Sequence, residues 1–100
     1  MDGPVLELAV FTVAPGAEAG FVAAFAQAKS LLTENPGCRS ARLTQGVESP
    51  SRFVLLVEWD TLDAHLVGFR ESPAFGRWRG LLGPFFAAPP DVEHYTDLPA

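Results

Sequence analysis

One hundred residues make one domain, and a chain this short buries only about 60–65% of its unfolded surface. A net charge of −5, with seven basic residues scattered along the chain, excludes the electrostatic footprint of a nucleic-acid binder and disfavours adsorption to anionic membranes. The single cysteine, Cys38, excludes an internal disulfide, and one cysteine with two histidines offers no metal-binding spacing.

The first apolar run, residues 5–14 (VLELAVFTVA), reads as a strand stopped at Pro15-Gly16. It has no basic residues before it and is interrupted by Glu7. Neither a signal peptide nor a membrane span is expected, and a cytoplasmic protein is. Residues 17–34 place Phe21, Phe25, Ala28 and Leu32 at helical spacing, and Asn35-Pro36-Gly37 ends that helix. Residues 38–47 form a more polar second strand. Ser49-Pro50-Ser51 turns the chain, and residues 52–59 (RFVLLVEW) form a third strand, antiparallel to the second.

Asp60 or Thr61 suits the N-cap of a second helix carrying Leu62, Leu66 and Phe69 on one face. Ser72-Pro73 opens a further helical piece with Phe75, Trp78 and Leu82 on one face, stopped at Gly83-Pro84. Residues 92–97 alternate as a last strand. The order is β-α-β-β-α-β with its second helix broken in two. This predicts an α+β, ferredoxin-like fold with an antiparallel four-stranded sheet.

The strands are apolar on both faces. Ala9, Phe11 and Val13 share one face with Phe53, Leu55, Val57 and Trp59. Leu6, Leu8, Val10, Val54 and Leu56 line the other. Helices cover one face only, and leaving the second set in water forfeits roughly 1.5–3 kcal/mol per residue. The economical solution is a homodimer, sheet against sheet.

Between Glu58 and Tyr95 lie Trp59, His65, Phe69, Phe75, Trp78, Arg79, Phe85, Phe86 and His94. Aromatic walls with a few polar groups are the usual character of a small-molecule pocket. His65 borders the apolar helix face, and an ordinary pKa near 6.5 suits it to proton transfer. Trp59 offers an indole N–H on the helix side of the sheet. Arg79 can meet a carboxylate or phenolate. His94 and Tyr95 point to opposite faces of the last strand, so one of them at most reaches the pocket. Glu58 lies opposite Trp59, where an arginine across the dimer, such as Arg42, is a natural partner. The bland reading makes Trp59 a core residue and His65 a helix-boundary histidine bonded to backbone or water.

The element order, Glu58-Trp59-Asp60 before a helix, His65, the phrase Phe69-Arg70-Glu71-Ser72-Pro73-Ala74-Phe75, Trp78 and Pro84-Phe85-Phe86 together carry a resemblance over residues 5–97. The chain resembles the antibiotic biosynthesis monooxygenase (ABM) domain family, within the dimeric α+β barrel superfamily. The resemblance implies a homodimer with one pocket per subunit. It also implies oxidation of a small reduced aromatic ligand, quinol- or anthrone-like, by molecular oxygen with no metal or flavin cofactor. His65 would move the proton, standing where anthrone-oxidising relatives have a tyrosine. Trp59 and Arg79 would orient the substrate, and Phe75, Trp78, Phe69 and Leu55 would line the site. Leu55 stands where those relatives carry an asparagine. The haem-degrading branch fits less well, because its iron-ligating histidine would fall at Trp78 or Arg79. A ligand-binding or stress-associated dimer without catalysis, and an isomerase or cyclase using the same pocket, are the alternative readings.

Overall fold

The computed structural model describes residues 3–100. Strands β1 (Val5–Thr12), β2 (Cys38–Gln45), β3 (Arg52–Trp59) and β4 (Asp91–Tyr95) form one antiparallel sheet in the order β2-β3-β1-β4. Helix α1 (Glu18–Thr33), a π-helical segment (Ala64–Phe69) and helix α2 (Pro73–Leu82) cover one face. This is the ferredoxin-like α+β arrangement that the alternation of periods predicts.

Alternation along β1 and β3 decides what the helices cover. Ala9, Phe11, Val13, Phe53, Leu55, Val57 and Trp59 are all buried, beneath Phe21, Phe25, Ala28 and Leu32 of α1 and Trp78 and Leu82 of α2. The opposite face keeps Leu6, Leu8, Val10, Val54 and Leu56 only partly covered. Glu58, on that face, accepts a hydrogen bond from Ser40 Oγ at 3.1 Å.

Two local features depart from the sequence reading. The second helix is not a plain α-helix. Thr61 Oγ1 accepts from Ala64 N–H at 3.0 Å, which makes it the working cap. The turns then widen, and Arg70 N–H reaches back five residues to His65 C=O at 2.9 Å. The widened turns bring His65 and Phe69 onto the covered face, where Leu62 and Leu66 were expected beside Phe69; those two stay part-exposed. Second, Ser72 does not cap α2 with its side chain. Its hydroxyl donates to Phe69 C=O at 2.7 Å and ties the two helical pieces together. Helix α2 ends at the expected Gly83-Pro84 stop, and the chain stays on the fold. A single 3₁₀ turn (Gly83–Phe85) carries it to the end of β1. There Ala14 N–H donates to Phe85 C=O at 2.9 Å and Ala87 N–H to Thr12 C=O at 2.8 Å. Phe86 stacks on Phe11 at 5.1 Å and closes that end of the core.

Candidate functional site

The gap between sheet, α2 and the returning chain is a cavity of about 970 Å³. Its walls are mostly apolar, with Ala9, Phe11 and Leu55 from the sheet, Leu32 from α1, and Phe69, Phe75, Trp78 and Leu82 from the helical pieces. Phe86 and residues 87–90 close one end. Polar groups gather at Glu7 and His65, and two arginines, Arg70 and Arg79, line the same space.

The Glu7 end is a bonded network. Trp59 lies fully buried at the end of β3 and donates its indole N–H to Glu7 Oε1 at 2.9 Å. His65 stacks almost parallel on the Trp59 ring, with centroids 5.0 Å apart. Its Nε2 lies 3.4 Å from the same Glu7 oxygen, and its Nδ1 lies 2.7 Å from Nε2 of His94 on β4. The strand register brings this about, because Glu7 pairs with His94 across β1 and β4. Side chains directly opposite in a ladder share a face. Tyr95 turns to the other face and donates to Glu93 at 3.0 Å.

Burial sets the charge states. Desolvation pushes the Glu7 carboxyl above its ordinary value, against the opposing pull of the Trp59 hydrogen bond and of Arg70. The same burial, reinforced by His94 and Arg70, drives His65 down to about 4, so its imidazole is neutral at neutral pH. Desolvation and then Arg70 also lower His94.

Each residue singled out in the sequence has a definite place. His65, Arg79, Phe75, Trp78, Phe69 and Leu55 all line the cavity. Trp59 does not. The N–H offered to a substrate oxygen is donated to Glu7, and the ring is sealed beneath His65. His65 is central to the covered face, only 4% exposed, where a border position was expected. Arg79 and Arg70 are solvent-exposed, and both guanidinium groups lie over the Phe75 ring, at 5.8 and 5.6 Å. The sequence reading missed Glu7 and Arg70, and of the pair His94 and Tyr95 it is His94 that turns to the His65 side. Glu7 had a usable signal, since it shares the β1 face of Ala9, Phe11 and Val13 and was therefore bound to be covered. Among the described residues, no cluster of three or more His, Cys, Asp or Glu groups could hold a metal ion, and no helix is long and apolar enough to cross a membrane.

Residues 4–81 match the sequence pattern of the antibiotic biosynthesis monooxygenase family. The chain belongs to that family. A family structure from Bordetella bronchiseptica is 43% identical, covers 96% of this chain and 98% of its own, and superposes with a TM-score of 0.92. The uncharacterised Bacillus subtilis protein YczJ is 36% identical over 94 residues, which are 94% of this chain and 99% of that one. The cofactor-independent oxygenase SnoaB from Streptomyces nogalater shares the fold at a TM-score of 0.80 with 23% identity, covering 98% of this chain and 96% of its own. Family and fold thus agree with the resemblance read from the sequence and support monooxygenase chemistry.

Proposed function

We propose that this protein is a cofactor-independent oxygenase that uses O₂ to oxidise a small reduced aromatic compound, quinol- or anthrone-like. The observation that carries the reading is the buried Glu7–His65 pair at one end of a mostly apolar cavity. Family membership and the SnoaB fold support the oxygen chemistry.

In this reading the ring packs against Phe75, Phe69, Trp78 and Leu55. Neutral His65 takes a proton from the substrate, and the Glu7 carboxylate stabilises the imidazolium as it forms. Trp59 acts by positioning, because it holds Glu7 from one side and supports the His65 ring from below. The ionised, electron-rich substrate gives an electron to O₂, and recombination forms a peroxide anion, which takes the proton back from His65 as a hydroperoxide. Loss of water then leaves the carbonyl, so that CH₂ and O₂ become C=O and H₂O. Arg79 and Arg70 stabilise negative charge at the cavity mouth.

The half-covered face of Leu6, Leu8, Val10, Val54 and Leu56 supports a homodimer packed sheet to sheet. The lone cysteine fits a cytoplasmic setting.

Oxygen uptake with a panel of hydroquinones and anthrones tests the function, with a chelator and His65→Ala as controls. Chelator-resistant uptake, reduced about 10²–10⁴-fold in the variant, is expected. Uptake no faster than the substrates' own autoxidation would refute it. Turnover that persists without oxygen would instead mark an isomerase or cyclase in the same pocket.

A further inference from the structure

The polar network does not stop at the residue that meets the substrate. We infer that Glu7, His65 and His94 form a proton relay, which carries a proton from the interior of the cavity to the sheet edge at β4. The inference rests on the proposed oxygenase reading for its substrate but not for its geometry.

The chain of contacts is continuous. Glu7 Oε1 lies 3.4 Å from His65 Nε2, and His65 Nδ1 lies 2.7 Å from His94 Nε2. Glu7 and His65 line the cavity and are 5% and 4% exposed, whereas His94 is half-buried on an edge strand. A neutral imidazole donates from one nitrogen and accepts at the other. With His65 Nδ1–H donating to His94 Nε2, the free His65 Nε2 accepts a proton from the cavity side. The Nδ1 proton then moves to His94, and the cation ends on the ring nearer water, where its desolvation cost is smaller. The reverse sequence returns it.

Burial also shifts the proton affinities along the chain. In water an imidazole at 6.5 and a carboxyl at 4.5 are about two units apart. Here burial drives His65 down to about 4 and raises Glu7 above its ordinary value, so both shifts oppose that ordinary order. The other ionisable groups around the relay are Arg70, beyond the π-helical segment, and Cys38 at the start of β2. Arg70 disfavours charge on both histidines and favours it on Glu7. Cys38 is itself pushed up by burial and then by Glu7, so it remains a neutral thiol. The relay suits the balanced oxidation. One proton leaves the substrate when it ionises and is returned when the peroxide anion becomes the hydroperoxide. Between those steps it must be held somewhere in a cavity that is mostly apolar.

Two measurements test the relay and separate its failure from that of the oxygenase reading. The first is ¹⁵N NMR titration of the two imidazoles in the substrate-free protein, with His94→Gln and Glu7→Gln alongside. Coupled titrations, with His65 uncharged down to about pH 5 and its Nδ1 resonance displaced in His94→Gln, are expected. Independent titrations, each near 6.5, would overturn the relay whatever the protein catalyses. The second is the pH profile of turnover. His94→Gln should lose about 10²-fold with a shifted profile, and imidazole in solution should restore His94→Gly. His94→Gln turning over like wild type at every pH would also overturn it. Absence of oxygen uptake by the wild type would sink the oxygenase reading alone, with the NMR titration still deciding the relay.

Discussion

His65 should make this fold sensitive to mild acid. Its ring is held between Trp59 and Phe69, and burial, then His94, then Arg70 drive its pKa from 6.5 to about 4. In the unfolded chain the same imidazole takes up a proton near 6.5. The folded state disfavours the proton, so the stability it contributes is complete above 6.5 and is lost as pH falls towards 4. Linkage between these two values gives a loss of about 2 kcal/mol at pH 5 and about 3 kcal/mol at pH 4. For a domain of this size, about 2 kcal/mol corresponds to a fall of roughly 8–16 °C in Tm. Glu7 works in the opposite sense. Its raised pKa favours the neutral carboxyl in the fold, so its contribution is present below 4.5 and lost as pH rises through its folded value. Glu7 and the surface carboxylates are common to wild type and His65→Gln, so they largely cancel in a comparison of the two. Urea unfolding of both proteins at pH 8 and at pH 5 provides the measurement. The wild type should lose about 2 kcal/mol more than the variant between those conditions. Parallel losses in the two proteins would refute the argument that His65 is folded in as a neutral imidazole.

Three further outcomes are expected. Gly37→Ala should cost about 1–3 kcal/mol by thermal unfolding, because φ is +91° there and an added Cβ would meet Ala64 Cβ; an unchanged Tm would contradict this. Leu56→Asp, on the half-covered sheet face, should give a folded monomer by sedimentation if two sheets pack together, and a wild-type protein that is already monomeric at micromolar concentration would sink the dimer. Trp59→Phe removes the N–H donor to Glu7 and should raise the Glu7 pKa further, read by ¹³C carboxyl NMR; an unmoved titration would mean the hydrogen bond does not govern that carboxylate.

The strands, α1 and the sheet's two apolar faces were legible in the sequence because burial writes itself as periodicity. Alternation in VLELAVFT and RFVLLVEW fixed which residues face the helices, and Phe21, Phe25, Ala28 and Leu32 fixed the buried stripe of α1. Much of the cavity wall was legible for the same reason, since Phe75, Trp78 and Leu82 recur at helical spacing. The widening of the second helix was not. Local spacing favoured Leu62 and Leu66 as its buried face, and only the closure of the Arg70 N–H onto His65 brought His65 inward.

By itself, the sequence determined the element order, the fold class, the family and the residue types available for chemistry. The tertiary structure decided which of them meet. Glu7, Trp59, His65 and His94 are separated by as many as 87 positions along the chain, and no local pattern links them. The register of β1 with β3 and β4 joins them, with Glu7 opposite Val57 and His94 and with Trp59 two residues along β3. Burial then gives the cluster its charge states, since withdrawal from water penalises a carboxylate and an imidazolium alike. Those penalties depend on what surrounds a side chain in three dimensions, and a linear order of residues does not contain them.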